Sequence, residues 1–370
     1  ANGTGPFKFE HWDPAAQEVT MVRNDAYWQA PAQLERVVVK GVDEWSTRKL
    51  LLQSGDADIA FVDRQFIDQV DGTPGLRVVR DLPQMALNYV LFNQNFKAEG
   101  NPYNGSGQLD GQGIPPDFFS DVDVRKAFNY LFDWETYIEQ VLKGEGVQPS
   151  GPIPAGVPFE NPDNARYHFA LEKAAEPFQQ AWGGQVWEKG FKFTGLYNTG
   201  NEARKTTLEI LRRNLQRVND KFELEVINVE WPTFLSKTVE GVVPMYVASW
   251  LEDYHDAHNW IFTLMHSQGS YGERINLGTK YDALVEQAVS EFDPEARQAI
   301  YYQLQQLAYE DAIAIFIEQR LGRQYMRTWV DGYYFNPIWP GRNYYGMSKK
   351  ADGAPNMPHI QALNLTVDQW

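Results

Sequence analysis

The sequence predicts an α/β protein, and three observations support that prediction. Short segments rich in β-branched residues alternate with helical segments along most of the chain. The 370 residues are 43% hydrophobic and 22% charged, which is enough for a large core in two or three domains. Neither an internal repeat nor a low-complexity segment interrupts the alternation. The expected architecture is therefore a sheet covered by helices.

The first block of the chain is expected to run to about Phe96 and to contain one strand–helix–strand unit. Its helix is predicted to end at Gly55, because glycine accepts the left-handed conformation that ends helices. The predicted elements are strands Val19–Arg23 and Arg36–Val39, helix Glu44–Gln53, and strands Asp58–Val62 and Leu87–Asn93.

The stretch from Lys97 to Phe119 is rich in Gly, Pro and Asn and has no periodicity, so it is predicted to be a loop or linker. A helix follows, with Ser120 and Asp123 in a capping-box-like arrangement. Apolar residues at helical spacing from Val124 to Leu142 predict one continuous helix that ends at Gly144.

Alternation then resumes from residue 202. The predicted elements are helix Glu202–Val218, strand Phe222–Glu230, helix Pro232–Val239, strand Val242–Trp250, helices Tyr281–Ser290 and Pro294–Tyr309, and strand Ala312–Glu318. Within the tail beyond about Gly322, Pro337, Pro340 and an aromatic-rich run predict loop and edge strand.

Composition excludes several classes of function. A net charge of −16 argues against a nucleic-acid binder and against an anionic membrane surface. With 0 cysteines the chain has no disulfide framework and no thiolate chemistry. The longest apolar run, Ala312–Ile317, is far shorter than the ~20 residues of a membrane-spanning helix. Aromatic residues make up 14% of the chain and indicate either a core of large side chains or a ligand cleft lined with rings.

Four motifs, in order, resemble the family 5 extracellular solute-binding proteins, which are the peptide- and oligosaccharide-capturing components of ABC importers. They are Gly3-Thr-Gly-Pro-Phe7 with Arg23-Asn24 and Tyr27-Trp28, the helix Asp123–Asp133, the turn Gly151-Pro-Ile-Pro154, and the segment Trp250–His258. The resemblance implies a two-lobed periplasmic-binding-protein-like fold (type II, cluster C). In relatives the first motif is internal, so the chain is expected to be a C-terminal fragment with part of domain I and with domain III.

The same resemblance implies the domain boundaries. Residues 1–120 are expected to be part of domain I with a loop-rich linker, 121–322 domain III as the ligand-binding lobe, and 323–370 the return to domain I with a C-terminal tail. It also implies ABC permease subunits as partners and a periplasmic or extracellular location. The net charge of −16 predicts a monomer, because like charges repel. The resemblance also admits a lipid anchor, attached through the N-terminal part that this chain is expected to lack.

The segment Trp250-Leu-Glu-Asp-Tyr-His-Asp-Ala-His258 resembles the family's W-x-x-D-Y-x-(D/E)-P pattern, with Ala257 where proline is usual. In peptide-binding relatives the aspartate at the position of Asp253 holds the ligand's α-ammonium group, and the tryptophan at the position of Trp250 lines a side-chain pocket. The alternative is that Asp253 caps the following helix. The predicted ligand-binding residues are Asp253, Trp250 and Tyr254, with Asn88 and Tyr89 from the strand Leu87–Asn93.

Dipeptide-specific relatives place an arginine before the helix that corresponds to Glu202–Val218, where it fixes the ligand's carboxylate. Here the preceding stretch is shorter, and Arg204 is expected on the helix itself. A longer peptide or an uncharged oligosaccharide therefore fits better than a dipeptide.

Enzyme and metal interpretations are weaker. His255, His258 and His266 are the nearest candidates for a metal site, and surface histidines are the preferred interpretation. Glu252 and Asp253 are adjacent on a strand, so their side chains diverge and cannot form a glycosidase pair. A carbohydrate-active enzyme stays as the rival hypothesis, motivated by the aromatic and acidic content. No catalytic residue, metal or cofactor is predicted.

Overall fold

The computed structural model describes residues 3–338, 342–350 and 359–363. The chain divides into two compact units, one from Ala1–Gln84 and Leu321–Trp370 and the other from Met85–Arg320. Both divisions fall inside long strands, so two strands run from one unit into the other. These compact units divide at residues 84/85 and 320/321. They are not the domains expected from the resemblance, so the boundary near residue 120 stays a prediction.

The first unit contains a sheet and one helix. Its elements are β1 (Phe7–Asp13), β2 (Glu18–Arg23), β3 (Arg36–Lys40), α1 (Trp45–Ser54), β4 (Ile59–Ala60) and the first part of β5 (Leu76–Phe92). Helix α1 ends as predicted: Gly55 has φ 90°, and its amide donates to the Leu51 carbonyl at 3.2 Å. Strand β4 is shorter than the predicted Asp58–Val62.

The second unit holds most of the helices. Its elements are the rest of β5, α2 (Val122–Tyr130), α3 (Trp134–Thr136), β6 (Gly146–Val147), α4 (Leu171–Gln180), α5 (Gln185–Lys189), β7 (Phe191–Asn198), α6 (Glu202–Val218), β8 (Phe222–Val229), α7 (Trp231–Val239), β9 (Met245–Leu251), α8 (Ala257–Met265), α9 (Ser270–Arg274), α10 (Asp282–Ser290), α11 (Pro294–Glu310) and the first part of β10 (Ala314–Arg327).

Three short strands complete the first unit: β11 (Val330–Asp331), β12 (Ser348–Lys349) and β13 (His359–Leu363). The sequence predicted loop and edge strand for the aromatic-rich run with Pro337 and made no prediction for β13. This strand pairs in parallel with β3 and with β4 and so lies inside the sheet. Ile360, Ala362 and Leu363 are buried there, and that burial fixes the strand within the sheet. Pro340 lies outside the described residues.

Strand β7 is central to the second unit. It pairs in parallel with β8 from Phe191↔Phe222 to Asn198↔Val229, and in parallel with β9 at Gly195↔Met245. Strand β9 pairs on its other side, antiparallel, with β5. The carboxyl ends of β7, β8 and β9 therefore meet at one edge of the sheet.

Phenylalanines fill much of the core of the second unit. Phe118, Phe128, Phe191 and Phe222 are fully buried, and the rings of Phe191 and Phe222 stack with centroids 4.5 Å apart. Much of the aromatic content is thus core packing, the first of the two interpretations that composition left open.

The predicted helix from Val124 to Leu142 is not continuous. Helix α2 ends at Tyr130, and Asp133 starts α3 by accepting a hydrogen bond from the Thr136 amide at 3.1 Å. Asn214 on α6 donates to the Leu131 carbonyl at 2.8 Å, which satisfies a backbone group that the break leaves free. The predicted cap is also wrong, because Asp121 and not Ser120 accepts from the Asp123 amide.

The segment 97–119 is a loop as predicted up to Asp117, where a short 3-10 helix, Phe118–Ser120, begins. It folds back on itself through an isolated bridge between Gly105 and Gly113. Gly105 has φ +62°, and a Cβ there would lie 2.2 Å from the Gln112 carbonyl oxygen, so glycine is required. Within the described part of the chain, no helix is both long enough and apolar enough to cross a membrane.

Candidate functional site

The candidate site lies in the second unit, where strand β9 ends. Trp250 is on β9, while Asp253 and Tyr254 follow the strand end, at the edge where the parallel strands finish. The antiparallel pairing of β5 with β9 puts Asn88 opposite Ser249 and Leu87 opposite Trp250. Open α/β sheets bind ligands outside the carboxyl ends of their parallel strands, so this edge is the place expected for a ligand.

Asn259, near the start of α8, connects two of the predicted ligand-binding residues. Its side-chain oxygen accepts from the Trp250 indole Nε1 at 2.9 Å and from the Asp253 amide at 3.3 Å. Its side-chain nitrogen donates to Asp253 Oδ2 at 3.5 Å. Trp250 also packs edge-on against Tyr271, with ring centroids 5.8 Å apart. The indole therefore has a fixed orientation beside the Asp253 carboxylate.

Asp253 does not cap the following helix. Helix α8 begins after Asp256, whose Oδ1 accepts from the His258 amide at 2.8 Å. The same carboxylate forms a two-bond ion pair with Arg297 of α11, at 2.8 and 3.0 Å. The alternative interpretation of Asp253 as a helix cap is thus wrong, because Asp256 has that role. The Asp253 side chain is exposed and is left for another partner.

Tyr254 is 49% exposed and sits next to Asp253. Partial burial, together with the neighbouring carboxylates of Asp256 and Asp253, raises the pKa of the Tyr254 hydroxyl. The hydroxyl is therefore protonated over the physiological pH range and can donate a hydrogen bond to a ligand.

The adjacent acid Glu252 points elsewhere. Its side chain is only 3% exposed, and its Oε2 atom lies 3.1 Å from Nδ1 of His255. Burial raises the pKa of the Glu252 carboxyl, and the contact with His255 opposes that rise. The two neighbouring acids thus have different environments, one buried and one exposed. Over residues 3–338, 342–350 and 359–363 there is no group of three or more His, Asp or Glu side chains that could hold a metal.

Asn88 and Tyr89 are placed differently from the residues after β9. The Asn88 side chain is half-buried and donates to Glu318 Oε1 at 3.0 Å. Tyr89 is 1% exposed, with its ring 6.1 Å from Tyr271 and 6.0 Å from Phe316. Burial raises the pKa of the Tyr89 hydroxyl well above its usual range. Because side chains alternate along a strand, Tyr89 points into the core and supports the sheet without being accessible.

Arg204 lies on α6 as the sequence predicted, and its guanidinium is already engaged. Nη1 donates to Asn198 Oδ1 at 2.8 Å and Nη2 to the Ser249 hydroxyl at 3.0 Å. The group lies near the rings of Trp231 and Phe234, at 5.8 and 5.6 Å from their centroids. Burial lowers the pKa of this guanidinium, which still stays charged at neutral pH.

Sequence reasoning missed Asn259 and Arg297. Both act through α8, a helix whose residue range the sequence patterns did not identify. Asn259 sits six residues after Asp253, and a helix start at Asp256 would have placed it over the end of β9. No local signal points to Arg297, which is 41 residues beyond its partner Asp256.

Comparison with known proteins gives a consistent group of relatives. Residues 1–272 match the sequence profile described as bacterial extracellular solute-binding proteins, family 5 Middle. Heme-binding protein A of Haemophilus influenzae is 26% identical, over 94% of this chain and 59% of that protein. The probable D,D-dipeptide-binding periplasmic protein DdpA of Escherichia coli is 25% identical, over 91% of this chain and 60% of that protein.

Solved structures agree on the fold. The ABC transporter-associated periplasmic binding protein DppA from Helicobacter pylori, in complex with the peptide STSA, matches with a TM-score of 0.69 and 22% identity. The match covers 94% of this chain and 63% of that one. The predicted α/β, periplasmic-binding-protein-like fold is thereby confirmed. The chain spans about six tenths of the length of the curated relatives it matches.

Proposed function

Because this chain belongs to the bacterial extracellular solute-binding proteins of family 5, we propose that it is part of the substrate-binding component of an ABC importer. It captures an oligopeptide and delivers it to the permease. The observation that carries the proposal is the pairing of an exposed carboxylate, Asp253, with a fixed indole, Trp250, at the carboxyl edge of the parallel strands.

Asp253 is the proposed anchor for the ligand's α-ammonium group. Its side chain is exposed, and Asp256 has the capping role that would otherwise occupy it. A carboxylate and an ammonium form a charge-assisted hydrogen bond, which is about twice as strong as a neutral one. The contact becomes stronger when a bound ligand excludes water from it.

Trp250 is the proposed apolar surface beside that anchor. Its indole nitrogen is satisfied by Asn259, and its edge packs on Tyr271. The ring can therefore contact an apolar part of the ligand without leaving a buried donor unpaired. Tyr254 adds a hydroxyl donor next to the anchor.

Arg204 does not take part in this proposal. Two of its nitrogens donate to Asn198 and Ser249, and the residue is buried. Recruiting it to a ligand carboxylate would break both of these bonds. This supports an oligopeptide over a dipeptide whose C-terminus is fixed by Arg204.

The relatives support a peptide ligand. One is described as D,D-dipeptide-binding, and one solved structure holds the peptide STSA. Heme-binding protein A is named for a different ligand, and the peptide proposal depends on the exposed carboxylate of Asp253 and not on that relative. We further propose that the protein binds without catalysis, as a monomer in the periplasm or outside the cell.

The test is isothermal titration of the full-length protein with a mixed oligopeptide pool, beside the same pool N-acetylated. Only the free-amine pool should bind, and Asp253→Asn should weaken that binding about tenfold or more. Asp163→Asn, which changes an exposed aspartate on another loop of the same unit, is the matched control and should bind like the parent. Equal binding of both pools would refute the ammonium anchor. Binding of a glycan panel in place of peptides would move the ligand to oligosaccharides.

A further inference from the structure

The side chain of Asn259 is almost fully enclosed, with 4% of the residue exposed. Its polar contacts reach the site: two donors, Trp250 Nε1 and the Asp253 amide, converge on its oxygen, and its nitrogen faces Asp253 Oδ2. An indole N–H and a backbone amide can only donate, so the orientation of the Asn259 amide is determined by its partners.

Helix α8 holds Asn259 in this place. The helix starts at Asp256, which is bound by Arg297, and Asn259 is in its first turn. Its backbone carbonyl also accepts from the Thr263 hydroxyl at 2.6 Å. A short chain of contacts thus leads from α11, through the helix start, to the end of β9.

Asp253 has few other constraints. Its side chain is exposed, and within the described part of the chain the one recorded contact of its carboxylate is with Asn259. An exposed aspartate samples several side-chain rotamers, and ordering one of them on binding lowers affinity. A contact that restricts the rotamer beforehand reduces that loss.

We propose that Asn259 is a positioning residue that holds Trp250 and Asp253 as one ligand-binding unit. It fixes the indole through the ring N–H and orients the carboxylate so that Oδ1 stays available to a ligand's ammonium group. The proposal rests on the function proposed above, in which Asp253 is the ammonium anchor. It adds a residue that need not touch the ligand, yet sets the spacing between the ligand's ammonium and its first apolar group.

The test is a double-mutant cycle on the full-length protein, with affinity for the free-amine oligopeptide pool as the readout. The four proteins are the parent, Asp253→Ala, Asn259→Leu and the double variant. Asp253→Ala should weaken binding at least tenfold and Asn259→Leu about fivefold to thirtyfold. Because Asn259 acts partly through Asp253 and partly through Trp250, the loss in the double variant should be larger than for Asp253→Ala alone but clearly smaller than the product of the two single losses.

Asn129→Leu is the matched control. Asn129 is equally buried in the same unit and donates to the Arg125 carbonyl at 3.0 Å, away from β9 and α8. It should lose stability as Asn259→Leu does and keep the parent affinity. If Asn259→Leu does not fold, Asn259→Ser, a smaller polar side chain that admits water, takes its place in the cycle.

The outcomes separate the two proposals. If Asp253→Ala binds like the parent, the ammonium anchor itself is wrong. If Asp253→Ala weakens binding but Asn259→Leu does not, or if the two losses multiply in the double variant, Asn259 is only structural and the positioning role is overturned.

Discussion

Asp256 and Arg297 form a two-bond ion pair that joins the start of α8 to α11. Nη1 of Arg297 lies 3.0 Å from Oδ2, and Nη2 lies 2.8 Å from Oδ1. The same Oδ1 accepts from the His258 amide, so one carboxylate caps a helix and binds a cation. Both side chains are partly buried. The pair fixes where α8 begins, and therefore where Asn259 lies relative to the end of β9.

Two substitutions of Asp256, one that removes only its charge and one that also removes the helix cap, should give different losses of stability. Asp256→Asn keeps an oxygen that can cap the helix and loses the charge, which should lower the free energy of unfolding by about 1 kcal/mol. Asp256→Ala loses the cap as well and should cost about 2 kcal/mol. Urea titration of both variants measures the difference, and equal losses would show that the cap contributes nothing.

The segment between β9 and α8 was predictable from the sequence in part: its position could be predicted, but the residue that caps α8 could not. The segment after β9 was identified because a tryptophan and an aspartate stand at family spacing. The sequence left open whether Asp253 binds a ligand or caps the following helix, because a second aspartate that can cap it, Asp256, lies only three residues further on. The choice depends on Arg297, a partner that is distant in sequence and close only in the fold.

The fold was predictable where one face of an element is apolar. Helices α6 and α11 and strand β8 lie within a residue of their predicted bounds. Strand β7 was missed, and Gly195 in its middle is part of the reason, since glycine weakens a strand pattern. A Cβ at Gly195 would lie 3.3 Å from side-chain carbons of both Leu208 and Leu224, so a larger residue would have to displace these leucines by a few tenths of an ångström. That tight packing is visible only in three dimensions.

Glu252 should make stability depend on pH. Burial raises the pKa of its carboxyl in the folded state above the unfolded value of about 4.3, so its charge costs stability at neutral pH. That cost is relieved as the pH falls through the folded pKa and is absent below the unfolded one. Glu252→Gln should therefore be more stable than the parent at pH 7, with the difference vanishing near pH ~4.

The measurement is urea unfolding of both proteins between pH 7 and pH ~4. Glu99→Gln, a change at an exposed glutamate in the loop after β5, is the control and should show no pH-dependent difference from the parent. A Glu252→Gln variant less stable than the parent at every pH would mean that the contact with His255 outweighs the burial of the charge.

Asn88 should matter for stability through Glu318. The Glu318 carboxylate is fully buried and accepts from Asn88 Nδ2 at 3.0 Å and from Arg320 Nε at 2.9 Å. Hydrogen bonds to a charged group contribute about 1.5 to 3 kcal/mol, and Asn88→Ala should lose an amount in that range. Asn95→Ala, at an exposed position just beyond β5, should be neutral in the same chemical-denaturation assay. Equal stability of the two variants would contradict the role given to Glu318.

Phe191 tests the aromatic core of the second unit. Its ring is fully buried, stacks on Phe222 at 4.5 Å and lies 5.2 Å from Phe118. Truncation would leave a cavity among rings that cannot collapse easily, so Phe191→Ala should cost about 3 to 5 kcal/mol. The matched variant is Phe292→Ala between α10 and α11, where the residue is 95% exposed and the change should be within about 0.5 kcal/mol. Thermal and urea unfolding of both proteins give the comparison. A loss below about 1 kcal/mol for Phe191→Ala would mean that the core relaxes around the missing ring.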